Sequence, residues 1–499
     1  MNRTGGAYGG ALHVLNSSGV VSNTFFRSNT VIGSYSVGYG GAINVTGGSV
    51  ALRDITLIAN NSYGQWASET RWYGCGGGIS FNGGSHSLSN AVLFLNETQR
   101  HIQLTATEGG GIYVFNNASV AISHATIAGH SSDGLYVAAG NVTLRNSILA
   151  NNYPDIGGGG TVTVSHSLVS DGTGGESPDI LSGDPLFDEE WFYLTPESPC
   201  LNSGLGTVAA AGLTGYTVST NGAAELAGTT VSMGYHYPPG TVLTPFSEVY
   251  VSPTGDDEAS GDAAHPFRTI ARALQASGNR LRVHLLPGIH DSAAGFPLQI
   301  SNRATTQFVG GNPQTTIIDG KNAANKRLFE YFYAFGNNRI SGVTLRNGGG
   351  ELPKLEEMWA GGAIYLACAR LTIENCIVSN NINSTTSNRG EFGIHVYGGG
   401  AIGAKQAALT LSNSTFAGNT SNNNSSGGGA ILTHSTVGTI SDCVFSNNVV
   451  NAQTGPAGHN RAVSGGALHL GRSSFAIRDC LFIGNKAIAH KDKSSAGGA

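Results

Sequence analysis

GGAIGAKQAALTLSNSTFAGN, residues 399–419, is one copy of a unit that the chain repeats. Its first phrase is a glycine pair followed by a small and an apolar residue. Copies of this phrase stand at residues 9–12, 40–43, 76–79, 109–112, 361–364, 399–402, 428–431 and 465–468. Self-similarity at a period of about 25 to 40 residues is typical of a stacked repeat architecture.

The second phrase of each unit is an alternating stretch that runs into Asn or Asp, followed by a small residue, an apolar pair and a closing Asn. Its copies are residues 20–29, 51–60, 87–96, 142–152, 371–381, 409–419, 438–448 and 476–485. Alternation with period two predicts strand, turn and strand, and the unit has no room for a helix. Strands that recur once per unit stack as parallel neighbours at roughly 4.8 Å. The sequence therefore predicts an all-β fold, a parallel β-helix.

The polar residue in the middle of the second phrase is predicted to form the bend between strands. A short polar side chain can bond to its own backbone there, and stacked copies can bond to each other. We expect such a turn ladder at Asn23, Asp54, Asn90, Asn146, Asn375, Asn413, Asp442 and Asp479, with His124 at the same position in one copy. A catalytic role for the Asp residues has little support, because Asp alternates with Asn.

The repeats resemble those of the polymorphic outer membrane proteins. The likeness rests on the GGA[I/L] phrase together with Phe-x-x-Asn at residues 26–29, 416–419, 445–448 and 482–485. Other copies depart from the pattern, with Leu, Ile or Val in place of Phe. These proteins belong to the wider pectin-lyase-like group, and the resemblance implies a right-handed helix. For activity the likeness is unspecific, since the group includes lyases, hydrolases, adhesins and phage tail proteins.

The repeats fall into two blocks, which predict two tandem β-helices. The first covers residues 1–237 and lacks its start, and residues 183–237 resemble the closing segment of bacterial β-helix domains. Residues 238–247 form a turn-prone linker. The second helix covers residues 248–499 and lacks its end, with a capping strand and a short helix within residues 248–276.

Composition excludes several classes of protein. Only 11% of residues are charged, 74 of 499 are glycine and the net charge is −5, with no basic run, so nucleic acid is not an expected partner. No stretch approaches about 18 consecutive apolar residues, so no membrane-spanning segment is expected. The chain begins and stops within repeats and shows no export signal. We expect a piece of a longer extracellular or cell-surface protein. One option is that regions missing from this sequence attach the protein to an outer membrane.

The outward positions of the glycine-led strands contain no carboxylate, which disfavours an enzyme site in that row. Tyr113 and Tyr136, on successive coils, are candidates for a flat platform that binds a sugar ring, and Tyr365 offers a similar surface in the second block. The alternative is that these tyrosines are ordinary strand residues.

An acidic loop opens the second helix. Asp256, Asp257 and Asp262 carry the hard oxygen ligands that calcium prefers, which makes the loop a candidate calcium site, although the sequence predicts no cofactor. The alternative is a solvated capping loop.

Taken together, these patterns predict a secreted or cell-surface repeat protein, adhesin-like or glycan-binding, with a polysaccharide or a host or cell-surface glycan or protein as partner. The alternative is a polysaccharide lyase or glycoside hydrolase with catalytic residues on loops.

Overall fold

The structure is a computed structural model, and it describes residues 6–34, 36–65, 74–99, 108–188, 191–241, 243–291, 295–301, 305–321, 326–350, 358–384, 396–423, 426–452 and 463–489. The chain divides into two compact units, unit 1 (Met1–Leu243) and unit 2 (Thr244–Ala499).

Unit 1 is a stack of parallel strands, each bonded to the equivalent strand of the next coil. Its glycine-led sheet, named for the glycine pairs that precede most of its strands, contains Leu12–Leu15, Ile43–Thr46, Ile79–Asn82, Ile112–Phe115, Leu135–Val137 and Ile156–Gly158. A bent sheet contains Ser18–Arg27, Ser49–Ile58, Ser85–Phe94, Ala118–Ala128, Gly140–Arg145, Ile148–Ala150, Thr161–Ser165, Ser167–Val169 and Ile180–Leu181. Short sheets complete the coils, one with Thr30–Ser34, Asn61–Gln65 and Glu97–Gln99, another with Ala7–Tyr8, Gly38–Tyr39 and Gly74–Cys75.

Unit 2 repeats this plan with more distinct corners. Its glycine-led sheet contains Leu298–Ile300, Phe329–Phe332, Ile364–Ala367, Ile402–Lys405, Ile431–His434 and Leu468–Gly471. The strands before the corner that carries Asn or Asp in the last four coils are Ser247–Val251, Arg280–Leu285, Thr305–Gly310, Asn338–Ser341, Arg370–Glu374, Ala408–Ser412, Val437–Ser441 and Ser474–Arg478. The strands after it are Gly288–His290, Thr316–Asp319, Thr344–Arg346, Ile377–Ser379, Thr415–Ala417, Val444–Ser446 and Leu481–Ile483. The remaining sheets contain Gly349–Gly350, Ile382–Ser384, Thr420–Asn423, Val449–Ala452 and Lys486–Ile488, and Met358–Ala360, Val396–Gly398, Ser426–Gly427 and Val463–Ser464.

The glycine pair is required by the corner that it forms. Gly399 has a φ of +64°, in the left-handed region, where a Cβ would lie 2.0 Å from the carbonyl oxygen of Ile402. Gly400 has no such φ, but a Cβ there would lie 2.2 Å from the carbonyl oxygen of Gly429 on the next coil. The first glycine thus permits the bend, and the second permits the close approach of neighbouring coils.

Alternate side chains of the strands fill the interior of each coil. In unit 2, Ile340, Ile373, Leu411 and Ile440 stand in register on successive strands and are fully buried. Burying one such side chain stabilises the fold by about 1.5–3 kcal/mol. A separate apolar cluster, which includes Leu52, forms the core of unit 1. The predicted parallel β-helix is confirmed.

A single turn of helix, Ile270–Ala273, follows the first strand of unit 2. Oγ1 of Thr269 accepts a hydrogen bond from the backbone N–H of Arg272, which caps the helix at its start. None of the helices in the described part of the chain is long and apolar enough to span a membrane.

Candidate functional site

The outward side chains of the glycine-led sheet in unit 1 form one row across the coils. Backbone register aligns His13, Asn44, Ser80, Tyr113, Tyr136 and Gly157. These residues alternate with core residues such as Ile43 and Val45, so their side chains point away from the core. We call Asn44, Ser80, Tyr113 and Tyr136, with the neighbouring Glu108 and Asp133, the tyrosine face.

Tyr113 and Tyr136 stack on each other instead of lying side by side. Their ring centroids are 5.8 Å apart and their planes differ by 11°. Coils spaced at roughly 4.8 Å are too close for two rings to lie in one plane, so the rings overlap with an offset. Tyr113 is buried and Tyr136 is half-buried. The flat two-ring platform that the sequence suggested is therefore reduced to the exposed part of Tyr136.

Two carboxyl groups lie beside the tyrosines, although neither belongs to the outward row. Glu108 pairs with Cys75 in a parallel bridge and accepts a hydrogen bond from Tyr113. Burial raises the pKa of Glu108 above its ordinary value. Asp133, in the turn before Leu135–Val137, is 6% exposed. Burial, with a further contribution from the charge of Glu108, raises the pKa of Asp133 to about 7, against hydrogen bonds from backbone N–H groups.

Glycine makes room for the Asp133 carboxylate. A Cβ on Gly157 would lie 1.9 Å from Oδ1 of Asp133, so any side chain at residue 157 would displace this oxygen. Gly157 stands in register with Tyr136, which places the carboxylate next to the end of the tyrosine stack.

Two further polar groups of the row have no partner among the described residues. Nδ2 of Asn44 and Oγ of Ser80 are buried and make no hydrogen bond there. An unpaired buried polar group costs about 1–3 kcal/mol, so such groups are rare unless a ligand or water meets them. The tyrosine face therefore combines unmet hydrogen-bonding capacity, an aromatic stack and two carboxyl groups with raised pKa values.

The equivalent row of unit 2 differs from the sequence expectation in two ways. It contains Gln299, Glu330, Tyr365, Gly403, Leu432 and His469. Tyr365 is 1% exposed, with the Arg327 guanidinium 5.0 Å from its ring centroid, so the expectation of an exposed platform there is wrong. The row also contains a carboxylate, Glu330, which lies 3.0 Å from Nη1 of Arg327. Sequence reasoning missed Glu330 because no glycine pair precedes its strand.

The acidic loop of unit 2 does not gather its carboxylates around one point. Oδ1 of Asp257 accepts hydrogen bonds from the backbone N–H groups of Arg268 and Thr269, and Oδ2 accepts one from the Thr269 hydroxyl. Asp256 and Asp262 likewise accept hydrogen bonds from backbone N–H groups of their own loop. Across the described residues, no group of three or more His, Cys, Asp or Glu is arranged to hold a metal ion. Calcium binding stays a prediction.

All the residues of the expected turn ladder lie at positive φ. The values run from 44° to 54° for Asn23, Asp54, Asn90, Asn146, Asn375, Asn413, Asp442 and Asp479, and His124 has 51°. Asn and Asp tolerate this left-handed conformation better than most residues. In unit 2 these side chains point to solvent.

In unit 1 the turn residues hold the closing segment, residues 183–237, against the coils. The side-chain amide of Asn90 donates to the carbonyl of His236 and accepts from its N–H, at 2.9 and 2.8 Å. The Asn146 amide pairs with the backbone of Leu205 in the same way, at 3.2 and 2.7 Å. These turns therefore serve as docking points within unit 1.

The continuous ladder of side-chain amides lies at the closing Asn of the second phrase, where the sequence analysis predicted no ladder. In unit 2, Nδ2 of Asn381, Asn419 and Asn448 each donates to Oδ1 of the equivalent residue on the next coil, at 2.9 to 3.0 Å. In unit 1 the ladder contains Asn29, Asn60, Asn96, His130 and Asn152. The recurrence of Asn in nearly every copy was the available signal.

His130 takes the place of an amide in this ladder. Its Nδ1 lies 2.7 Å from Oδ1 of Asn152, and its Nε2 lies 3.3 Å from Nδ2 of Asn96. A neutral ring with its proton on Nδ1 satisfies both neighbours, as donor to one and acceptor from the other. Complete burial lowers the pKa of His130 to about 4, which keeps the ring neutral at physiological pH.

Residues 253–470 match the model of a protein family of unknown function, DUF1565. No curated protein and no solved structure matches the chain.

Proposed function

We propose that the protein is a secreted or cell-surface β-helical repeat protein that binds a glycan on the tyrosine face of unit 1. The observation that carries the proposal is the pair of buried, unpartnered polar atoms, Nδ2 of Asn44 and Oγ of Ser80, in the same row as the tyrosine stack. Sugars offer hydroxyl groups for such atoms and an apolar ring face for an aromatic side chain. The likeness of the repeats to those of polymorphic outer membrane proteins supports an adhesin-like role.

The proposal is tested by retention on immobilised polysaccharides, neutral and acidic. The wild-type protein is expected to bind at least one polymer, and Tyr136→Ala is expected to weaken that binding about tenfold or more, because it removes the accessible ring. Tyr153→Ala is the matched control, since Tyr153 is 72% exposed and lies outside the tyrosine face. Failure to retain any polymer, or equal retention of Tyr136→Ala, would contradict the proposal.

The proposed location of the protein, secreted or on the cell surface, has its own test. In cells that produce the full protein, protease added outside intact cells is expected to digest it, or the protein is expected in the medium. Complete protection of the protein from the protease inside intact cells would contradict both a secreted and a cell-surface location.

A second candidate is hydrolysis of a bound polysaccharide, and the state of Asp133 favours it. A carboxyl group with a pKa of about 7 is protonated in about half of the molecules at neutral pH and can deliver that proton to a leaving oxygen. Glycoside hydrolysis needs a second carboxylate, and Glu108 is the available partner.

This candidate is tested by the release of reducing ends from the polymers that bind. If the protein hydrolyses the polymer, Asp133→Asn is expected to abolish the release of reducing ends, while the variant is still retained on the polymer. Glu176→Gln is the control, because Glu176 is an exposed carboxylate elsewhere in unit 1. Intact polymer after prolonged incubation with the wild-type protein would leave binding as the function.

A further inference from the structure

Unit 2 contains a cavity of about 310 Å³ beside its capping helix. It lies between the helix Ile270–Ala273 and the strands Gly288–His290 and Leu298–Ile300. Small-molecule sites in proteins span about 300–1,000 Å³, so this cavity suits a ligand of the smallest class.

The floor of the cavity is apolar. Ile270, Phe296 and Leu298 line it and are buried, and they belong to the core of unit 2. A ligand that fits must therefore present one apolar face.

One polar group in the cavity wall lacks a partner. His290 is 5% exposed, and its Nε2 lies 2.9 Å from the carbonyl oxygen of Leu286. A carbonyl only accepts hydrogen bonds, so Nε2 carries a proton. Burial lowers the pKa of His290, which leaves Nδ1 as a bare acceptor, and no described residue donates to Nδ1.

The two carboxylates that line the cavity are already engaged. Asp257 binds the start of the capping helix, as described above, and Asp291 lies 2.5 Å from Nζ of Lys321. Arg268 and Lys321 balance the two carboxylates in formal charge. The cavity therefore favours a neutral ligand over an anionic one.

We infer that this cavity binds one neutral monosaccharide unit, with a ring face on Phe296 and Leu298 and a hydroxyl group donating to Nδ1 of His290. This site is independent of the tyrosine face, and it gives unit 2 a binding activity of its own. A free sugar or the end residue of a glycan would present the same chemistry.

The test is saturation-transfer NMR on the full chain with neutral monosaccharides, namely glucose, galactose, mannose and N-acetylglucosamine, and with glucuronate as the anionic comparison. At least one neutral sugar is expected to receive saturation, and glucuronate none. The two sources of such a ligand are a free sugar and the end residue of a glycan. A methyl glycoside and a disaccharide that ends in the same sugar then distinguish between them.

Two variants locate the signal. His290→Phe removes the acceptor and is expected to lower affinity about tenfold, the effect of one lost buried hydrogen bond. Ala271→Trp fills the cavity from its partly exposed rim without removing a buried contact, and it is expected to abolish the signal with an unchanged circular dichroism spectrum. His265→Phe is the control, since that side chain is 71% exposed.

Absence of saturation for every neutral sugar would overturn the inference. Undiminished signal in both cavity variants, or binding of glucuronate alone, would also overturn it. A loss seen with Tyr136→Ala but not with the cavity variants would assign the signal to unit 1, which separates this test from that of the proposed function.

Discussion

Asp133 is a residue whose burial costs stability. The pKa of Asp133 rises from an ordinary value of 3.8 to about 7 in the folded protein, so the folded state binds more protons between these pH values. The free energy of unfolding therefore falls progressively as the pH rises from about 4 to 7, by about 4 kcal/mol in total. A residue kept at such a cost is a candidate for function.

Replacement of Asp133 by Asn is expected to stabilise unit 1 at high pH. Asn has the same shape and never ionises, so the free energy of unfolding should rise by up to about 4 kcal/mol at pH 8 and change little at pH 4. Urea denaturation at both pH values measures the difference. A variant that is no more stable than the wild type at pH 8 would show that the carboxylate is ionised there at no cost.

His130 has the opposite dependence on pH. Its pKa falls from 6.5 to about 4 on folding, so the unfolded state binds the extra proton between these values. Stability is therefore lost as pH falls through this window, by about 3 kcal/mol. Asn fits the same ladder position on other coils, and His130→Asn should remove this part of the acid sensitivity. Denaturation at pH 7.5 and 4.5 tests it, and an equal loss in both proteins would contradict the ladder assignment of His130.

Among the repeated elements, the amide ladder and the exposed turns differ in what they contribute. Asn419 is fully buried; its Nδ2 donates to the carbonyl of Val378, and its Oδ1 accepts from the backbone N–H of Asn381. Asn419→Ala leaves both groups unpaired, and we expect a loss of about 3 kcal/mol. Asn413→Ala, at an exposed turn with a φ of 44°, should cost about 1 kcal/mol from left-handed strain alone. Chemical denaturation of both variants makes the comparison, and equal losses would be inconsistent with a dominant ladder.

The sequence predicts the elements well, since alternation and closing turns are local properties. It does not separate the two Asn positions of each unit, because both are short, polar and repeated. The residue types that occur at the two positions distinguish them. The exposed turn accepts Asp in several copies, whereas the ladder needs a group that both donates and accepts, so Asn recurs there and His130 replaces it in one copy.

At the scale of the whole molecule, the fold follows from the period of the repeats, but the site does not. Glu108 and Asp133 lie just outside the repeated phrases, and Glu330 lies in a coil without a glycine pair. Glu330 lies three residues from Arg327 in the chain, but the approach of Glu108 and Asp133 to each other depends on stacking between coils. No local pattern in the sequence encodes such contacts.

The two units each have their own apolar core, which predicts independent folding. Limited proteolysis within residues 238–246 is expected to release two fragments that keep a β-rich circular dichroism spectrum. Mass spectrometry identifies the cut. Unfolding of either fragment after cleavage would show that the units depend on each other.

The central claim, that a glycan binds the tyrosine face, is tested most directly by oxidative footprinting of the protein with and without a saturating polysaccharide. Tyr136 is the accessible ring of the face, and the 72% exposed Tyr153 serves as a reference in the same unit. Binding at the tyrosine face predicts that oxidation of Tyr136 falls several-fold while that of Tyr153 is unchanged. Equal oxidation of Tyr136 in the free and bound protein would contradict the claim.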